Sequence, residues 1–362
     1  MNAIKRVLIL FTLSMCPSLL FADARKMLDK PFMIGPQYPL MFLSTTFEPD
    51  TAFTLNSGDT FFATSYSLLN SYVYSSNSKK ANDASQPASD FYKTQSSGYS
   101  VYFDGEMDHR FFKFYYGLSD SLELQFSYQD FRFSPGSLDD SIESFHETLG
   151  IDNQGRHRTE QDLLEIYIYD NEIEENVFVL SEGMSSFKQQ SMTLGLKFLV
   201  RKTEQEAISF SLSSNFGDYY IEQELNDATS DAEDREFRQF NDSNISLRYS
   251  SLFSTWSLHA AVSISYVRES LLKKSPNAIY YFFLGANWHI SENWDYILQA
   301  LEYSSPFPKD IYRISEDIRE ITTGLRWFVT KNSAWELGFT ENQTQGPQNI
   351  DIVFFTNLML YL

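Results

Sequence analysis

Ser191-Met192-Thr193-Leu194-Gly195-Leu196-Lys197-Phe198-Leu199-Val200 carries an apolar side chain at every even position from 192 to 200, with Ser191, Thr193, Gly195 and Lys197 between them. Successive side chains of a strand point to opposite faces, so a period of two marks a strand with one apolar and one polar face. Leu122, Leu124, Phe126 and Tyr128 alternate in the same way with Glu123, Gln125, Ser127 and Gln129. Trp256, Leu258, Ala260, Val262 and Ile264 alternate with Ser257, His259, Ala261, Ser263 and Ser265, and Ile352, Phe354, Leu358, Leu360 and Leu362 share one face at the end of the chain. Read outward from 191–200, the pattern predicts strands over 59–76, 99–116, 121–132, 187–201, 207–216, 241–250, 255–269, 277–290, 294–304, 318–329, 334–342 and 350–362.

The connections alternate in length. Short turns fall at 117–120, 202–206, 251–254, 291–293 and 330–333, and longer loops at 77–98, 133–186, 217–240, 270–276, 305–317 and 343–349. Short turns on one rim and long loops on the other are the habit of transmembrane barrels, with the short side periplasmic. The expectation is therefore all-β: a transmembrane antiparallel up-and-down β-barrel of about 12 strands over residues 59–362, with long extracellular loops and a short helix in one of them. A two-sheet sandwich would need its second faces dry, whereas here those faces carry Ser, Thr, Gln, Lys and Arg and read as a lumen. Trp256, Trp288, Trp294, Trp327 and Trp335 all sit beside the short turns and read as an aromatic girdle at the membrane interface.

Composition narrows the function classes. The chain has 362 residues, 43% of them hydrophobic, with 32 Phe and 22 Tyr but only 15 Gly, which excludes a disordered tail and a glycine-rich nucleotide-binding enzyme. A formal charge of −20 excludes nucleic acid as a partner, because no basic surface is available to neutralise phosphates. Lys5 and Arg6, the apolar run Val7 to Met15 and the small residues of Ala22-Asp23-Ala24 read as a secretory signal over 1–22, implying Sec-dependent export to the outer membrane. The sole cysteine, Cys16, falls in that signal, so disulfides, thiolate metal sites and cysteine nucleophiles are not expected. Residues 23–58 read as a periplasmic N-terminal segment and a candidate plug. Outer-membrane lipid, lipopolysaccharide and the barrel-assembly machinery are the expected partners.

The acidity is concentrated. Residues 133–186 hold 13 acidic and 2 basic residues, and residues 217–240 hold 8 and 2. Such loops read as a solvated surface, or as carboxylates that share divalent cations, calcium or magnesium, with neighbouring lipopolysaccharide. Within the first, Leu138, Ile142, Phe145 and Leu149 form one helical stripe, Asp139 and Asp140 occupy the first turn where the helix dipole favours anions, and Gly150 is placed to end the helix. A helix this short must pack on something, either the barrel wall or a hairpin suggested by Leu164–Tyr169 and Val177–Leu180.

The block from Ser137 to Ile151, with Phe145-His146 at its centre and Gly155-Arg156 after it, resembles the signature region of the family catalogued as domain of unknown function 3187. Similarity extends to Gln37-Tyr38-Pro39-Leu40, Tyr116-Gly117-Leu118-Ser119-Asp120 and Leu194-Gly195-Leu196-Lys197. The resemblance implies an exported Gram-negative outer-membrane barrel, and brings no catalytic residues or cofactor with it.

Strand parity points Lys113, Lys197, Arg248, Arg326, His259 and His289 into the lumen, opposite Glu123 and Glu336, where ion pairs are expected. Glu143-x-x-His146 has a metal-binding spacing, but one such pair holds no metal alone, and pairing with Arg156 or Arg158 is the simpler reading. No nucleophile and base combine, so no enzyme, cofactor or metal site is expected. Two functions remain: a narrow or gated channel for small or hydrophobic solutes, closed by 133–186 or by the N-terminal segment, and a non-conducting surface-interaction or structural barrel acting through its acidic loops. Inward Phe111, Tyr115, Tyr281 and Phe283 favour an occluded lumen.

Overall fold

The computed structural model describes residues 26–38, 41, 47–75, 98–140, 143–144, 147, 161–162, 164–180, 184–223, 238–268, 272, 275–309, 311, 314–343 and 350–362. The expected signal over 1–22 lies outside the described residues.

Among the described residues fourteen strands form one sheet: β1 (Thr60–Tyr74), β2 (Tyr99–Ser119), β3 (Leu122–Ser134), β4 (Glu165–Asp170), β5 (Glu175–Leu180), β6 (Met184–Lys202), β7 (Glu206–Gln223), β8 (Arg238–Leu252), β9 (Trp256–Tyr266), β10 (Ala278–His289), β11 (Trp294–Tyr303), β12 (Ile318–Thr330), β13 (Ser333–Asn342) and β14 (Ile350–Tyr361). Twelve of them close a ring. β1 pairs with both β2 and β14, and the intervening order runs β2-β3-β6-β7 and onward in sequence to β14, every pairing antiparallel. Closure leaves no unpaired edge, the condition for placing backbone polar groups in lipid. Among the described residues no helix is long and apolar enough to cross a membrane.

β4 and β5 stand outside the twelve. β2 is 21 residues long and changes partner along its length: Glu106 to Ser119 pair with β3, and Tyr99 to Asp104 pair with β4. The hairpin therefore continues the wall above β3. A spanning strand needs about 9–11 residues, which suits β9 to β14 at 10–13 residues. β6 and β7 have 19 and 18 and so stand above the band with β2. β7 continues to Gln223, past the end expected at 216, because polar Asp218 and Glu222 interrupt the apolar period although their backbone still pairs with β6.

The two faces are the inverse of a soluble protein. Met192, Leu194, Val262, Phe282, Leu337 and Leu358 point outward and are exposed, while Ser191, Lys197, Ser263, Asn287, Glu336 and Asn357 point inward and are buried. At the short-turn end the five tryptophans form a continuous outer band on β9 to β13. Trp256 is in register with Trp288, Trp294 stacks on Trp327 at 6.0 Å, and Trp327 lies 6.4 Å from Trp335. Phe62, Phe112 and Phe114 continue it on β1 and β2, with centroids 5.0–5.9 Å apart.

Candidate functional site

Residues 26–58 have no strand period, and their described part lies inside the ring. The segment has two legs. The ascending leg, 26–38, starts beside the β6–β7 turn, where Lys26 Nζ donates to Glu204 O, and reaches Glu320 near the long-loop end of β12. The descending leg, 47–58, returns past β10, β2, β3 and β8 and runs directly into β1. At its base Gly58 N donates to Gly117 O at 2.8 Å, and a Cβ at Gly117 would lie 1.9 Å from Asn56 O, so only glycine admits this approach.

Polar groups hold the legs to the wall. Asp50, on the descending leg, is shared by Lys30 Nζ at 2.8 Å and Lys197 Nζ at 2.7 Å, and Lys197 also reaches Glu123 at 2.9 Å. All four side chains are at most 1% exposed. Burial alone would raise the Asp50 pKa, but Lys197, Lys30 and Arg248 outweigh it and hold the carboxyl well below the usual range. Lys113 pairs with Glu48 at 3.0 Å and donates to Met33 O at 3.0 Å, tying both legs to β2. Leu55 N donates to Glu123, and Ala52 N donates to Ser250 Oγ.

Asp29 anchors the ascending leg. It accepts from Ser257 Oγ at 2.8 Å and from Asn287 Nδ2 at 2.5 Å, with His289 Nε2 3.7 Å and His259 Nε2 3.9 Å away. Burial opposes its ionisation, yet His259, Arg326 and Asn287 bring its pKa down to about 2. Arg326 donates to Glu336 and to Lys30 O, His289 bonds Asp295 at 2.9 Å, and Asn357 Nδ2 donates to Glu336. At the other end Glu320 accepts from Gln37 N at 2.9 Å, Tyr38 N at 3.0 Å and the Tyr303 hydroxyl at 2.6 Å. Apolar contacts fill the gaps: Phe32 meets Phe355 edge-on at 4.9 Å, and Phe47 packs on Tyr281 and Phe283 at 5.7 and 6.0 Å.

Lys113, Glu123, Lys197, Arg248, His259, Arg326 and Glu336 thus all face the interior and are 0–5% exposed. Glu123 with Lys197 and Arg326 with Glu336 form cross-strand pairs. Period-two reasoning misses their partners Asp29, Lys30, Glu48 and Asp50, which lie in irregular chain. The available signal was four charges within 22 residues of otherwise uncharged sequence.

Of the loop residues expected to constrict the mouth, Leu138 is described and half-buried. Ile142, Phe145, His146, Leu149, Gly155 and Arg156 lie outside the described residues or have side chains that do. The start of the helix docks on the wall: Asp139 accepts from Asn70 Nδ2 at 2.7 Å and from Asp162 N at 2.8 Å, while Glu106 accepts from Ser137 N and Leu138 N. Gly136, at φ 85°, leaves the space that Glu106 occupies. Among the described residues no three His, Cys, Asp or Glu side chains gather to hold a metal; the acidic loops at 133–186 and 217–240 are described only in part.

No curated protein matches the chain. Among solved structures it is similar to the COG4313 outer membrane channel from Pseudomonas putida F1, at 9% identity and TM-score 0.48 over 86% of this chain and 98% of that one. It is also similar to the toluene transporter TodX of P. putida (9%, TM-score 0.37, 85% and 89%) and to the translocator domain of the autotransporter NalP from Neisseria meningitidis (7%, TM-score 0.39, 85% and 88%). The family described as "Protein of unknown function (DUF3187)" matches residues 8–359, nearly the whole length, and the chain belongs to that family.

Proposed function

We propose that this protein is an outer-membrane channel closed by its own N-terminal segment, with the short turns in the periplasm. The observation that carries the reading is the chemistry of the seam: the legs are held by Lys30, Glu48, Asp50 and Asp29 against Lys113, Lys197, Glu123 and Arg326 rather than by an apolar core alone. A buried ion pair gains little over its separately hydrated partners, because the cost of desolvating both charges offsets their attraction. A segment held in this way can exchange its contacts for water and leave, which an oil-like filling cannot do cheaply. Glu106 and Asp139 hold the start of the 133–186 loop on the wall at the long-loop mouth.

The test is conductance in planar bilayers. The full mature chain should be nearly silent, and a variant in which residues 27–52 are replaced by a short glycine-serine linker should show stable openings while keeping the faster unheated migration of an intact barrel. An intact but silent deletion variant would refute the channel and favour a structural barrel acting through its loops. An epitope at Asp231 should be accessible on whole cells and one at Lys331 hidden; the opposite result inverts the orientation.

A further inference from the structure

The inner face of the wall changes character along its length. Near the short turns it carries Asn287 on β10, Asp295 on β11, Arg326 on β12 and Asn357 on β14 among its apolar groups. Toward the long loops the same inward parity brings Ile279, Tyr281 and Phe283 on β10, Leu301 and Tyr303 on β11, and Ile318 on β12, all at most 4% exposed. Apolar side chains turned inward, away from water, make this end of the lumen a packed core rather than a wetted pore.

Two pieces of chain outside the strands complete that core. One is the tip of the N-terminal segment, with Tyr38, Met41 and Phe47; the other is the connection from β11 to β12, with Phe307, Ile311 and Ile314. These six side chains are 0–2% exposed and share one cluster with the six on the wall. Glu320 joins the two pieces, because it accepts from Gln37 N and Tyr38 N of the tip and from the hydroxyl of Tyr303, two residues before Ser305. The connection folds on itself through Ser305 Oγ to Ile314 O at 2.7 Å and Ile311 N to Pro308 O at 3.2 Å. It is a compact unit with an apolar seat. The start of the 133–186 loop lies on the opposite face of the wall: Asn70 and Glu106 share the outward parity of Tyr66 and Phe112 and are covered by Ser137, Leu138 and Asp139.

We propose that the β11–β12 connection is a cap on the long-loop end of the lumen, seated on the tip of the N-terminal segment, so that freeing the segment at the short-turn end unseats the cap at the other. Phe307, Ile311 and Ile314 are buried against the tip and the wall. Withdrawal of the ascending leg draws Tyr38 and Met41 out of the core and leaves a hollow beneath them, which is unfavourable because its lining loses dispersion contacts with nothing in return. The coupling is reciprocal, and a cap that is lifted loosens the segment by the same factor. For what opening achieves, the proposal rests on the channel reading above; the coupling of the two ends does not.

The test uses the full mature protein in detergent. The sole cysteine, Cys16, falls in the expected signal, so Leu28→Cys and Ile314→Cys, each at a fully buried position, report one at a time on the base of the segment and on the cap. A polyethylene-glycol maleimide should label both slowly in the otherwise unaltered protein. Asp29→Asn, which acts at the base, should speed labelling of Ile314→Cys about tenfold, and Ile311→Asp, which acts at the cap, should speed labelling of Leu28→Cys by a comparable factor, a size within the range for coupled sites. Tyr38→Ala combined with Phe47→Ala removes the seat while keeping Asp29 and Asp50, and should speed labelling of Ile314→Cys at least as much. Each variant must keep the heat-dependent migration of an intact barrel, and the double variant decides the matter if Asp29→Asn leaves the barrel unassembled or the leg in place. Faster labelling of Leu28→Cys in Asp29→Asn with Ile314→Cys unchanged overturns the coupling, as does an unchanged Ile314→Cys in the double variant. A cap released in these variants together with a silent 27–52 replacement in bilayers would remove the channel and keep the coupling, whereas a conducting replacement with the cap unmoved in them would do the reverse.

Discussion

The two legs of the N-terminal segment meet the same barrel by different means. The descending leg, 47–58, presents carboxylates to fixed cations on β2 and β6 and continues covalently into β1. The ascending leg, 26–38, offers the wall one buried carboxylate, Asp29, and one ring, Phe32, spends the Lys30 ammonium on Asp50 of the other leg, and for the rest relies on backbone groups: Lys30 O accepts from Arg326, Met33 O accepts from Lys113, and Gln37 N and Tyr38 N donate to Glu320. A backbone contact is insensitive to side-chain identity and individually worth about 1 kcal/mol. A charge buried beside its partner is costly to strand. The descending leg is the anchor because it runs covalently into β1, and the ascending leg is the part that moves first.

Asp50→Ala should break this contrast most severely. It strands Lys30 and leaves Lys197 to Glu123 alone, both lysines having at most 1% exposure, and the loss expected on removing one partner of a buried pair is about 3–5 kcal/mol. Both legs should become protease-sensitive in membranes, with frequent bilayer openings. Asp29→Asn should free the ascending leg alone, giving short openings and cleavage confined to 26–38. The same carboxyl makes docking acid-sensitive. Its pKa is about 2 when docked against 3.8 ordinarily, so its stabilisation is complete above about pH 4 and is lost as pH falls toward 2, a change of about 2 kcal/mol. Conductance should rise over that window in the wild type and stay level in Asp29→Asn.

The strands and the outward placing of the tryptophans were legible because their information is local. Met192 to Val200 and the tryptophans beside the short turns declare a face within a few residues, and the hairpin suggested at Leu164–Tyr169 and Val177–Leu180 is found as β4 and β5. The seam was half legible. Parity aims Lys197 and Glu123 inward, and they pair across β3 and β6. Nothing local joins Asp29 to Asn287, 258 residues away, or Gln37 to Glu320, 283 away. Those contacts exist because ring closure brings distant strands around one short segment, and a periodicity of two carries no record of that.

Two further substitutions should have smaller effects. Ser250→Ala leaves Ala52 N buried without its acceptor and should weaken the descending leg by about 1–2 kcal/mol, visible as faster amide exchange at 51–53. Lys26→Ala, which removes the exposed contact to Glu204 O and the ammonium 4.4 Å over the Phe53 ring, should change docking by less than 1 kcal/mol and leave conductance unaltered.

The pairing of β1 with β14 joins the earliest strand of the ring to the latest, with Phe61 opposite Tyr361. In kinetic language it is the contact of highest sequence separation, and such contacts wait on the ordering of everything between them. The N-terminal segment leads directly into β1, so whatever draws β1 to β14 also draws the segment toward the gap that is about to close. The lumen's occupant arrives with the first strand rather than after the last. The connectivity predicts that its fit against Lys113, Lys197 and Arg326 is settled as the wall assembles around it, so that the ring closes already occupied.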